Sequence, residues 1–138
     1  MSLLDRETCV FCRICDGKEQ SNILYQDEKY VVFPDIKPAA KHHFLIVTRE
    51  HIRDVKSLLP DQKSVLEDLV KIGKQILEKH GADLRDVRFG FHWPPFHSIS
   101  HLHLHVISPA SEMGFMSRCI FRPGSWWFVT PEYVMSRL

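Results

Sequence analysis

The chain has 138 residues, 44% hydrophobic and 25% charged, the proportions of one soluble globular domain with no room for a second sizeable core. Lys and Arg number 18 and Asp and Glu 17, a net charge of +1 with neutral histidine, which argues against a nucleic acid or an anionic membrane held mainly by charge. One number is out of line: there are 9 histidines, and 5 of them lie between His92 and His105.

Met1 to Thr8 carries Asp5, Arg6 and Glu7 and lacks the apolar core of a signal segment. No later run approaches the roughly 18 apolar residues that cross a bilayer, so a cytoplasmic protein, with the nucleus as a further compartment, is expected. Cys9, Cys12 and Cys15 are crowded together and Cys119 is alone, a spacing that suits metal ligation or redox chemistry better than a disulfide framework. Cys9 to Asp16 reads as a short helix that Gly17 stops. Ile23–Gln26 and Tyr30–Pro34 read as strands joined by the polar turn Asp27-Glu28-Lys29. Two prolines make 35–40 a loop. Phe44–Thr48 is continuously apolar and so a central strand.

The long helix runs from about Pro60 to His80, with proline in its first turn and Gly81 at its end. Val65, Leu66, Leu69, Ile72, Gly73, Ile76 and Leu77 mark one face at steps of three and four. Val87–Phe91 is a fourth strand and His101–Ser108 a fifth, separated by a loop containing Pro94 and Pro95. In the tail, Trp126-Trp127-Phe128 must bury against something, and Pro131-Glu132 opens a short final helix. Five short strands, one long helix and one or two short ones describe an α+β domain on an antiparallel sheet. It spans 1–138, with a core of about 9–109 and a tail of 110–138 packed on the protomer or on a dimer interface.

His101-Leu102-His103-Leu104-His105-Val106 alternates strictly. In a strand this puts the three imidazoles on one face and Leu102, Leu104 and Val106 in the core. Such a face can bind a metal, or it can handle phosphate, because neutral imidazole is nucleophilic near neutral pH. A His-x-His-x-Asp-His metal motif needs a carboxylate after the second histidine, and none of Leu104 to Pro109 is acidic.

With His-x-His-x-His followed by apolar residues, the chain resembles the histidine triad (HIT) family of nucleotide hydrolases and transferases. The likeness extends to Cys9-Val10-Phe11-Cys12-Arg13-Ile14, to 33–40, to His43-Phe44-Leu45-Ile46-Val47 with His51, and covers about 9–109. Gly90-Phe91-His92, Pro94-Pro95-Phe96 and Ser98-Ile99-Ser100, with Trp127-Phe128, are similar to the third Hint-type branch. The resemblance implies a five-stranded HIT fold whose sheets join across a homodimer. It implies hydrolysis of nucleoside 5′-phosphoramidates or acyl-adenylates, with His103 as nucleophile and AMP carried on it covalently. His101 and His105 flank it, Ser98 lies near the leaving group and His43 approaches the triad. Asp35 would hold the ribose hydroxyls, and Phe11, Ile14, Phe33, Ile36 and Val10 the purine.

His92 stands where the better-studied Hint pattern has asparagine, and Trp93-Pro94-Pro95-Phe96 replaces its glycines, so leaving-group contacts differ. Some HIT proteins carry zinc on positions that match Cys9, Cys12, His51 and His101, a structural metal with no cofactor required for chemistry. Cys15 and Cys119 have no assigned role. Competing expectations are a nucleotide-binding adaptor without catalysis, a zinc-dependent hydrolase, and an aprataxin-like adenylate hydrolase, against which stand the single cysteine after the triad and the charge of +1.

Overall fold

The computed structural model describes residues 3–138, and Met1 and Ser2, where the signal-segment reading begins, lie outside the described residues. In chain order the elements are α1 (Leu3–Thr8), α2 (Val10–Cys15), β1 (Tyr25–Gln26), β2 (Tyr30–Pro34), β3 (His42–Thr48), α3 (Lys63–Lys79), β4 (Arg88–His92), β5 (His103–Ser108), α4 (Phe115–Ile120), β6 (Phe128–Val129) and α5 (Pro131–Arg137), with single 3₁₀ turns at Val55–Ser57, Pro60–Gln62 and Ala110–Glu112. The strands form one sheet in the order β1-β2-β3-β5-β4-β6, every neighbouring pair antiparallel. None of the described helices is long and apolar enough to cross a membrane.

Period-two alternation sorts the sheet into two faces. Phe44 and Ile46 of β3 and Leu104 and Val106 of β5 join the buried face of α3, built from Leu66, Leu69, Ile72, Ile76 and Leu77. Leu45 and Val47 of β3 look the other way, toward Phe11 of α2. On β5 that second face carries His103 and His105, which pair with Val47 and Leu45 across the strands. The long helix therefore supports the histidines from behind, while α2 and the tail flank them in front.

Several local expectations shift. The first strand is only Tyr25–Gln26, and the Asp27 carboxylate organises the turn after it by accepting from the Lys29 and Tyr30 amides. His101 precedes β5, its backbone N–H donating to the Ile99 carbonyl outside the ladder. The sheet has six strands where five were expected, because Phe128–Val129 pairs with β4. Gly90 permits that pairing: a Cβ there would lie 2.4 Å from Phe128 Cε2 and 2.9 Å from the Val129 carbonyl oxygen. Among the described residues the short helices number four, with α1 and α4 unforeseen. The expectation that all three tail aromatics bury is corrected as well. Phe128 is fully buried, but Trp126 is 86% exposed, since the chain bends through 125–127 before β6 begins.

Candidate active site

Hydrogen-bond partners fix the tautomer of each imidazole, because a carbonyl can only accept and an amide N–H can only donate. His101 Nε2–H donates to the Thr48 carbonyl at 2.6 Å, leaving its Nδ1 lone pair free for other contacts. His103 Nδ1–H donates to the His101 carbonyl at 2.6 Å, so His103 Nε2 carries a bare lone pair. The Ala39 amide donates to His43 Nδ1 at 2.9 Å. His43 Nε2 therefore holds the proton and donates it to His105 Nδ1, also at 2.9 Å. His105 Nε2 is then an N–H, and it is buried with no partner among the described residues. One ring thus presents a lone pair and its neighbour a proton, with centroids 5.0 Å apart.

Burial sets their charge. His103 is 7% exposed and His105 5%, and the loss of water disfavours imidazolium. It pulls His103 and His101 down to about 4, against the hydrogen bonds to carbonyls that favour the charged form. His43 falls to about 4 for the same reason, opposed by the Asp35 carboxylate, and burial holds His105 well below its ordinary value. At neutral pH the rings are uncharged, the form in which imidazole can attack.

The other expected residues fall around this centre. Asp35 Oδ2 lies 3.4 Å from His43 Nε2 and 3.9 Å from His105 Nδ1, while its Oδ1 accepts from the Lys37 amide. It therefore closes the turn and faces the imidazole pair. Phe11 packs edge-on against Phe33, His101 and His103, and Val10 and Ile14 border the same apolar cluster. Ile36 stands apart at 93% exposure and packs in no wall. Ser98 is exposed and lines a depression of about 650 Å³ with Thr8, Val10, His51 and Arg53. His92 Nε2–H donates to the Ile120 carbonyl at 3.1 Å, and its ring meets His105 at 5.0 Å.

Two residues come to the site without having been singled out. His97 shares a small cavity with His92, Ile99 and His103, and its Nδ1 is buried and unpartnered among the described residues. Phe121, from the tail, touches the rings of His43, His92 and His105. The local histidine excess was a signal for the first, and no spacing pattern pointed to the second.

On the far side of His101, four donor atoms from Cys9, Cys12, His51 and His101 lie within 4.8 Å of one another. The Cys9 and Cys12 sulfurs are 3.3 and 3.5 Å from His101 Nδ1, and Cys12 Sγ is 3.2 Å from His51 Nδ1. Ligand bonds of about 2.0–2.3 Å in a tetrahedron put neighbouring donors about 3.3–3.8 Å apart, so this set fits a metal ion. Burial and the neighbouring Cys9 push the Cys12 thiol up to about 12, a cost that a bound cation reverses.

Comparison with known proteins fits this geometry. The family described as scavenger mRNA decapping enzyme C-terminal binding matches residues 8–120. The chain belongs to the histidine triad family. Among histidine triad relatives, adenosine 5′-monophosphoramidase HINT3 of Mus musculus is 48% identical over 94% of this chain and 81% of its own, and that of Xenopus tropicalis 44% identical over 95% and 87%. Among solved structures, a HIT family hydrolase from Clostridium thermocellum is 33% identical with a TM-score of 0.69, covering 73% of this chain and 90% of its own. A Zn-bound histidine triad protein from Mycobacterium smegmatis, 23% identical with a TM-score of 0.62 over 80% and 82%, shares the fold.

Proposed function

We propose that this protein is an adenosine 5′-phosphoramidase, hydrolysing the P–N bond of purine nucleoside phosphoramidates through AMP carried covalently on His103. The observation that carries this reading is the tautomer pattern, a bare His103 Nε2 beside the His105 Nε2–H. The names of the two relatives support the choice of substrate.

The anionic phosphate, arriving beside the His43–His105 pair, draws one proton onto it, since a nearby opposite charge favours imidazolium. His103 Nε2 attacks phosphorus, the P–N bond breaks, and the pair gives its proton to the departing nitrogen, which leaves as the neutral amine. The adenylyl-imidazolium on His103 keeps its Nδ1–H on the His101 carbonyl, where the positive charge is stabilised. Water then attacks, its proton returns to the pair, and AMP leaves with His103 neutral again. Asp35 holds the ribose or steadies the charged pair, Phe11, Ile14, Phe33 and Val10 take the purine, and Ser98 and His92 meet the leaving group.

Cys9, Cys12, His51 and His101 hold a structural zinc in this reading. Bound there, zinc supplies a crosslink between the N-terminal segment and the sheet, and it holds His101. The protein acts in the cytoplasm or nucleus as a homodimer, for which the exposed Trp126 leaves an aromatic surface free. Replacing His103 with Ala, in a folded protein, is expected to abolish AMP release from an adenosine phosphoramidate; hydrolysis at the wild-type rate would refute the mechanism.

A further inference from the structure

Helix α4 has six residues and buries none of them, yet its last three carbonyls and that of the following Phe121 are gripped by three side chains. Arg88 Nη1 donates to the Arg118 and Phe121 carbonyls at 3.1 and 2.9 Å. Trp127 Nε1 donates to the Cys119 carbonyl at 2.7 Å, and His92 Nε2 to that of Ile120. Such a short helix has little stability of its own, so these donors decide where it sits. They deliver the next residue, Phe121, into the site. Its ring lies 5.1 Å from His43 at 89°, 5.2 Å from His92 and 5.1 Å from His105, with Phe128 at 5.5 Å behind it.

The consequence falls on His105. Its Nδ1 is fixed by His43, but one hydrogen bond leaves a ring free to tilt about that bond. Phe121 and His92 close on this ring, and the buried Nε2–H has no partner among the described residues to aim it. We propose that Phe121 is a positioning residue that holds the His105 Nε2–H toward the leaving nitrogen, making the C-terminal segment 115–121 part of the catalytic apparatus. This rests on the phosphoramidase reading. It assigns Phe121 a share in protonating the leaving group and none in the attack by His103, which the His101 carbonyl orients separately.

A proton donor matters most for a poor leaving group and little for a good one. Steady-state kinetics of the full chain with two adenosine 5′-phosphoramidates separates the steps, one carrying an alkylamine and one the good leaving group imidazole. Phe121→Ala is expected to lose about 10²-fold in kcat for the alkylamine, within the usual range for general acid catalysis, and less than about threefold for the imidazolide. Phe121→Leu, which refills only part of the space and lacks the flat ring, is expected to show a smaller loss that is again confined to the alkylamine, and it serves alone if the alanine variant fails to fold. Equal losses on both substrates, or none on either, would overturn the proposal. A wild-type protein inert toward both compounds would remove the phosphoramidase reading and this inference together, whereas normal wild-type turnover with parallel losses removes only the inference.

Discussion

Residues of one chemical type do different work here because their neighbours fix different atoms. His101 gives its Nε2–H to a carbonyl and turns a lone pair toward two sulfurs; His103 gives its Nδ1–H to a carbonyl and keeps its Nε2 lone pair, the atom that attacks phosphorus in the proposed mechanism. Sequence alternation placed these rings on one face, because strand periodicity is strict, but it could not assign their tautomers, which depend on Thr48 and Ala39 from distant segments. The same burial predicts a pH dependence. His43 and His103 fall to about 4 when folded and return to about 6.5 when unfolded. Below pH 6.5 the unfolded chain binds protons that the folded one does not, so stability is full above about 6.5 and declines as pH falls toward 4. Urea midpoints measured on metal-free protein between pH 7.5 and 4.5 should fall in that window; a flat or rising midpoint would show that the histidines are not buried neutral.

Elements with strong internal periodicity matched expectation, and those made by tertiary contact did not. The long helix was legible from its apolar stripe, and Tyr30–Pro34 from a compact β-rich run between turn signals. Strand β6 has two residues, and its place depends on Gly90 having no side chain, which no local pattern announces. Likewise Trp126, Trp127 and Phe128 read alike as a sequence, and only the bend before β6 decides that Phe128 goes inside. Gly90→Ala is therefore expected to destabilise the fold by about 1–3 kcal/mol, the usual cost of overpacking a well-filled interior. Chemical denaturation would read this as a lowered midpoint with an unchanged slope, and a neutral result would mean that β6 moves aside freely. Arg88→Ala removes the donor to the Arg118 carbonyl of α4 and to the Phe121 carbonyl just beyond it. It should release 115–121, seen as faster amide exchange in that segment with α3 unchanged; uniform exchange across the chain would contradict this role.

At the scale of the whole molecule, the sheet separates support from chemistry. Helix α3 fills one face, and the N-terminal helices and the tail bring the candidate metal cluster and Phe121 to opposite sides of the triad on the other. A metal on Cys9, Cys12, His51 and His101 would act on stability first. Chelation, or Cys12→Ser, should lower the melting temperature by at least about 5 °C, more than 1 kcal/mol at this chain length, while AMP release persists at low temperature. Immediate loss of hydrolysis in protein that remains folded would favour direct metal chemistry. The near-neutral charge fits a small nucleotide held by a pocket and a few aimed groups, with no need for a basic surface. The most direct test of the central claim is mass spectrometry of protein quenched during turnover of an adenosine phosphoramidate, followed by peptide mapping. The account predicts an added adenylyl group on the peptide carrying His103, absent from the His103→Ala variant; turnover with no adduct there, or an adduct retained by that variant, would contradict it.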